Sequence, residues 1–187
     1  MEKYILIVAG GKGLRLQSNV PKQLVNIKGL PLLMWTFNAF RFLANEAHFV
    51  LVLNGDLIGQ WKNLCRIHDF NIPHKIVEGG PKRFHSVKSG LNLIPNNALV
   101  AIHDAARPLV SEATIRSCFS IAQRKGSAIP AITINESIRE TDGSLNRHVD
   151  RNKYKLVQTP QTFYSDTIKR AYLQSYHEHF TDDASVH

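Results

Sequence analysis

Short, wholly apolar runs alternate along this chain with longer stretches of helical spacing. Positions 4–9, Tyr-Ile-Leu-Ile-Val-Ala, are apolar throughout and end at Gly10-Gly11. A strand with no polar face has to be covered on both sides, so the run predicts a central parallel strand. Positions 49–53 predict a second such strand, stopped by Asn54-Gly55-Asp56. Between them Pro31 marks a helix start, and the spacing predicts a helix over 32–44. A further helix is predicted over 57–70, with Trp61, Leu64 and Cys65 on one face. Next come a short strand at 75–77, Gly79-Gly80-Pro81, a helix over 86–93 and a strand over 98–102. Ser111 as N-cap and Gly126 as the residue past the C-terminus bracket another helix, followed by a strand over 128–133. This β-α-β-α order predicts an α/β fold, a Rossmann-like, doubly wound and mostly parallel sheet.

The alternation then breaks. Positions 136–141 and 145–149 flank Asp142-Gly143, a strong hairpin turn, and predict a β-hairpin arm at about 135–155 projecting from the core. Positions 155–157 return to strand, and Ser165 is the expected cap of a helix running to about 178. With no internal repeat or linker, residues 1–187 read as a single domain. Positions 181–187 carry no natural stop, so a further C-terminal segment is expected.

Composition narrows the class. Of 187 residues, 43% are hydrophobic and 20% charged, which excludes a disordered, collagen-like or coiled-coil chain. Lys and Arg number 23 against 15 Asp and Glu, a net charge of +8 that favours an anionic partner. The distribution says more than the total. No acidic residue occurs between Glu2 and Glu46, while Lys3, Lys12, Arg15, Lys22, Lys28 and Arg41 fall in that window. Single cations in a long neutral run fit a pocket for a phosphorylated small molecule better than a nucleic-acid arm, which more often shows a dense basic stripe. Cys65 and Cys118 lack the spacing of a metal cluster and read as small apolar packing residues. No apolar run has membrane-spanning length, and the start lacks the pattern of a signal peptide. A cytoplasmic location is expected, with no membrane and no nucleic-acid partner.

The first strand leads into Ala9-Gly10-Gly11-Lys12-Gly13-Leu14-Arg15, and Pro21-Lys22-Gln23 follows. Glycines let backbone N–H groups approach phosphate oxygens, and the end of a strand in an open α/β sheet is the expected ligand crevice. The dinucleotide fingerprint is excluded by Leu16, and a Walker A loop by the absence of Gly-Lys-Ser/Thr. What remains is a nucleoside triphosphate held by backbone amides, Arg15 and Lys22. The alternative is a tight turn bearing two solvated cations.

The loop followed by Pro-Lys-Gln resembles the signature of the sugar nucleotidyltransferases. Further motifs narrow the likeness: Gly79-Gly80-Pro81-Lys82-Arg83-Phe84-His85-Ser86-Val87, His103-Asp104-Ala105-Ala106-Arg107-Pro108, Val149-Asp150-Arg151, Gln158-Thr159-Pro160-Gln161 and Thr181-Asp182-Asp183-Ala184-Ser185. Together they resemble the 2-C-methyl-D-erythritol 4-phosphate cytidylyltransferase family, over essentially the whole chain. The resemblance implies CMP transfer from CTP to that sugar-alcohol phosphate with release of pyrophosphate, a step of non-mevalonate isoprenoid synthesis. The nucleophile, a phosphate oxygen, is already ionised, so no general base is needed. Catalysis then rests on aligning two polyanions and stabilising charge at the α-phosphorus.

Residue roles follow from the resemblance alone. Arg15 and Lys22 are implied at the CTP phosphates, with Arg151 as a third catalytic cation. Ala9, Gly10, Gly11 and Gly13 shape the loop, Gly80, Arg83 and Ser86 belong to the cytosine and ribose site, and Asp104 with Ala105 completes the nucleotide site. Asp104, Arg107, Ser137, Arg151 and Thr159 are implied to hold the second substrate, Arg151 across a homodimer formed through the arm. Magnesium or another divalent cation is expected to screen the triphosphate, its protein ligands being left open. Plainer readings stand beside these: Ser86 as a helix-start residue satisfying a backbone group, Asp104 as a cap or a partner of Arg107, Arg151 as a solvated cation beside Asp150, and His103 as structural. Two departures from the family pattern are His85, where Asp is frequent, and the absence of an Asn-Ile-Lys segment whose lysine assists phosphate binding. The rival functions are a ribitol-5-phosphate cytidylyltransferase and a non-catalytic nucleotide- or nucleic-acid-binding module.

Overall fold

The strands, in chain order, are β1 (Lys3–Ala9), β2 (Asn26–Ile27), β3 (Leu30–Pro31), β4 (Ala47–Leu53), β5 (Lys75–Glu78), β6 (Leu99–Asp104), β7 (Ser127–Ala128), β8 (Ala131–Thr133), β9 (Ile138–Asp142), β10 (Leu145–Val149), β11 (Lys155–Val157) and β12 (Gln161–Tyr164). The helices are α1 (Leu32–Ala39), α2 (Gly55–Ile67), α3 (Arg83–Leu91), α4 (Glu112–Lys125) and α5 (Ser165–Ala171). They are seen in a computed structural model that describes residues 1–10 and 20–187. Six strands form the central sheet in the order β5-β4-β1-β6-β12-β7. β5, β4, β1 and β6 pair in parallel, while β12 runs antiparallel to both β6 and β7. The predicted α/β, mostly parallel sheet is therefore present.

The apolar runs are continuous because alternate residues enter two different cores. Ile5, Ile7 and Ala9 of β1 face one, with Phe49, Leu51 and Leu53 of β4; Leu33, Met34 and Phe37 of α1, Trp61 of α2 and Ile115, Cys118 and Phe119 of α4 cover that side. Leu6 and Val8, with Val50 and Val52, face the other, closed by Phe84, Val87 and Leu91 of α3 and Ile168 of α5. Cys118 is buried and Cys65 packs at the margin of the first core. Burial pushes both thiols up to about 11, so they serve as packing groups.

Several boundaries differ from expectation for local reasons. The helix predicted over 32–44 ends at Ala39 and continues as a 3-10 turn, Arg41–Leu43. The one predicted over 57–70 starts at Gly55, because the Asn54 side chain accepts from Asp56 N at 3.0 Å. It stops at Ile67, with Asp69 in the left-handed region at φ 46°. The helix predicted over 86–93 begins at Arg83. Ser111 and Gly126 do bracket α4: the Ser111 hydroxyl accepts from Thr114 N at 3.2 Å, and Gly126 has φ 97°. The run 128–133 is two strands in two sheets. Pro130 has no N–H for a ladder, so β7 stays in the central sheet and β8 pairs with β11 outside it. The hairpin forms as β9 and β10 around Gly143, φ 55°. Ser165 does not cap α5, which ends at Ala171. Its hydroxyl instead accepts from Ala98 N at 3.0 Å, stitching the helix start to the entry of β6.

Candidate active site

Parallel strands bring their carboxyl ends to one sheet edge, which is where the ends of β1 (Ala9, Gly10), β5 (Gly79, Gly80) and β6 (Asp104, Ala105) lie. β12 runs the other way, with Gln161 opposite Ile102, so Thr159 enters at that same edge. A 3-10 turn, Lys22–Leu24, joins them: Gln23 is buried and its amide donates to the Ala9 carbonyl at 3.2 Å. Lys22 opens that turn and is exposed. Gly11, Gly13 and Arg15 lie outside the described residues.

Gly10 and Gly79 meet over Ser86. A Cβ on Gly10 would strike the Ser86 hydroxyl and stand 3.0 Å from its Cβ, and a Cβ on Gly79 would stand 2.9 Å from that hydroxyl. Only hydrogen fits there, which keeps the backbone at Gly10 and Gly79 close together. The Ser86 hydroxyl accepts from Gly80 N at 3.2 Å and lies 3.3 and 3.2 Å from the carbonyls of Gly80 and Lys82. These bonds are those of the helix-start reading, so the hydroxyl holds the Gly79-Gly80 loop in place.

Beside this loop two arginines alternate with two aspartates. Asp183 is fully buried and takes both terminal nitrogens of Arg83, at 2.9 and 2.7 Å. Arg83 Nε donates to Asp104 at 3.3 Å, and the other Asp104 oxygen accepts from Arg107 Nε at 3.0 Å. Arg107 also donates to Gln158 at 2.7 Å. Asp104 is thus paired with Arg107, as the plainer reading had it, and with Arg83 as well. Burial alone would raise the Asp104 carboxyl, but Arg83 and Arg107 outweigh it and hold it below the usual carboxylate range. Burial would likewise lower Arg83, and pairing with Asp183 reverses this and raises it. Charge within the set is balanced, and among the described residues no carboxylate pairs with Lys22.

His103 ties the ends of β6 and β12 together. Its Nε2 lies 2.9 Å from the Arg107 carbonyl and its Nδ1 lies 3.0 Å from the Thr159 hydroxyl. It is fully buried, edge-on to Phe40, and burial pushes its pKa down to about 4. The structural reading of His103 is the one these contacts fit. Thr159 is buried too, and Asp104 N approaches its hydroxyl at 3.4 Å. Ala105 N donates to the Val8 carbonyl at 3.1 Å, while its own carbonyl accepts from Thr36 at 2.7 Å.

The remaining two sequence-predicted residues belong to the arm. Ser137 is exposed just ahead of β9. Arg151 opens the 3-10 turn Arg151–Lys153, is exposed, and donates to the Asn135 carbonyl within the arm. Neither is drawn into the Asp104 group by these contacts. Sequence reading missed the parts played by Gln23, Gln158, Gln161 and Asp183. All four sit in motifs it had singled out, but their partners are distant in sequence.

Residues 4–187 match the family described as 2-C-methyl-D-erythritol 4-phosphate cytidylyltransferase. The protein of that name from Porphyromonas gingivalis is 49% identical over 188 residues, covering 100% of this chain and 83% of its own length. The one from Bacteroides fragilis is 48% identical over 186 residues, covering 100% and 85%. Among solved structures, the enzyme of that name from Thermus thermophilus is similar with a TM-score of 0.77 at 28% identity, over 100% of this chain and 83% of that one. Its Francisella tularensis counterpart is similar at 0.78 and 27%, over 100% and 85%.

Proposed function

The chain belongs to the 2-C-methyl-D-erythritol 4-phosphate cytidylyltransferase family, and on that premise we propose that it transfers CMP from CTP to 2-C-methyl-D-erythritol 4-phosphate. A phosphate oxygen of the acceptor attacks the α-phosphorus, the bond to the β-phosphate oxygen breaks, and pyrophosphate leaves. The observation that carries this reading is the convergence, at one sheet edge, of Gly10 and the Gly79-Gly80 turn with Asp104, Arg107 and Thr159. The attacking oxygen is an anion, so these residues bind and orient, with no proton to remove. Lys22, whose charge is not offset by a described carboxylate, opens a turn that Gln23 anchors to the end of β1, and supplies positive charge to the triphosphate.

Magnesium is part of the proposal. Among the described residues no three His, Cys, Asp or Glu side chains stand together, and both oxygens of Asp104 are occupied by arginines. The described side chains do not fit a metal cage, so the ion is assigned to phosphate oxygens and no step is routed through it.

The protein is further proposed to be a cytoplasmic homodimer. Ile132 of β8 and Leu156 of β11 pair across their small sheet, are both half exposed, and form an apolar face suited to a second subunit. Among the described residues no helix is long and apolar enough to cross a membrane.

The deciding measurement is pyrophosphate release by the full-length protein given CTP with either 2-C-methyl-D-erythritol 4-phosphate or ribitol 5-phosphate. Release with the first alone is expected. Release with ribitol 5-phosphate alone, or with neither, rejects the assignment. Lys22→Ala is expected to lower turnover about 100-fold or more without changing stability.

A further inference from the structure

We propose that Asp183 is a positioning residue of the nucleotide site, acting through Arg83. The inference rests on the cytidylyltransferase reading above. Asp183 is fully buried, and a buried carboxylate is retained only where it is paired and hydrogen-bonded. Here Oδ1 accepts from Arg83 at 2.9 Å and from the Tyr172 hydroxyl at 2.6 Å, and Oδ2 accepts from Arg83 at 2.7 Å. The two parallel bonds to one planar guanidinium fix its orientation as well as its position. With both terminal nitrogens turned to Asp183, only the Nε edge faces Asp104.

That geometry has two effects. It withholds the two-nitrogen fork of Arg83 from Asp104 and from a triphosphate, either of which would otherwise compete for it. It also leaves Asp104 suspended between single bonds to Arg83 and Arg107 at the carboxyl end of β6. Without Asp183 the fork is free to swing onto Asp104 and pull it out of line.

The segment around Asp183 is built to hold it. Gln161, at the start of β12, is buried and clasps the turn from both sides: its amide donates to Asp182 at 2.8 Å and its carbonyl accepts from Ala184 N at 2.8 Å. Asp182 and Ser185 lock the turn further, with Ser185 N donating to Asp182 Oδ1 at 2.9 Å and Asp182 N to the Ser185 hydroxyl at 3.1 Å. The last residue of Gln158-Thr159-Pro160-Gln161 and the motif at 181–185 are thus two halves of one clasp around Asp183.

The test compares Asp183→Asn with Tyr172→Phe in the full-length protein. The first removes the ion pair; the second removes one hydrogen bond to the same carboxylate and leaves the pair intact. Both are expected to lower Tm, but only Asp183→Asn raises the KM for CTP, by tenfold or more, with a smaller change in the KM for the sugar-alcohol phosphate. Asp183→Glu, which keeps the charge, is expected to recover part of the loss. A folded Asp183→Asn protein with a CTP KM within twofold of wild type overturns the inference, as does an equal rise in Tyr172→Phe. Should Asp183→Asn not fold, Gln161→Ala loosens the clasp with every charge in place. It carries the same expectation, and an unchanged CTP KM in that variant overturns the inference. Failure of the function itself is separate, since it shows in the wild-type protein as no turnover of CTP with 2-C-methyl-D-erythritol 4-phosphate.

Discussion

The hydroxyl of Thr159 donates to Nδ1 of His103. The direction follows from the far side of the ring, where Nε2 faces the Arg107 carbonyl, an acceptor that has no proton to give. Burial keeps the imidazole neutral, so its single proton sits on Nε2 and Nδ1 is left to accept, and one ring ties the ends of β6 and β12 together.

Acid should weaken the fold in two stages. His103 titrates at 6.5 when unfolded and at about 4 when folded, so below about 6.5 the unfolded chain binds the extra proton. Stability is unaffected by this group above that value and falls as pH drops towards 4, by on the order of 3 kcal/mol. Asp104, held below its ordinary value, adds stability that is lost at still lower pH. Denaturant unfolding at stepped pH should show the first slope in the wild type and lose it in His103→Asn.

Ser165→Ala should cost about 1–3 kcal/mol, because it leaves the buried Ala98 N–H without its acceptor. The loss should appear in the denaturant midpoint with the m-value unchanged. A neutral substitution would show that Ala98 has another partner.

Gly10→Ala should both destabilise the fold, by about 1–3 kcal/mol, and weaken CTP binding, since its methyl group meets Ser86. Gly10→Ala combined with Ser86→Gly should cost less than the sum of the single changes. Strict additivity in that double-mutant cycle would mean that the two residues do not press on each other.

Leu156→Asp and Ile132→Asp place charge on an exposed apolar pair, so the monomer should keep its fold. Light scattering after size exclusion should show the dimer dissociating. A dimer that persists in both variants would remove this face from the subunit contact.

Much of the architecture was legible in sequence because it follows from local periodicity. An apolar run such as that of β1 needs cover on both faces, and glycine or asparagine next to it marks where the strand must end. The same reading placed Asp104 and the glycine loop at strand ends, where a parallel sheet puts its ligands. It missed β12, which its motif, Gln158-Thr159-Pro160-Gln161, hides behind a short and partly polar run. It also split helices and caps imperfectly, because Ser165 could bond either to its own helix or to Ala98, and only packing against β6 decides between them.

What the amino-acid sequence determined by itself was the kind of fold, the family and most of the motifs that gather at the site. What only the tertiary structure decided was how those motifs spend their charges. Arg83 reads in sequence as one more cation for a nucleotide. Its guanidinium is held by Asp183, 100 residues further along, and charge pairing over that separation leaves no trace in spacing or periodicity. Spacing reports the faces of a helix or strand because those are set by nearest neighbours, whereas the net charge a site offers depends on which distant side chains the fold brings within hydrogen-bond reach.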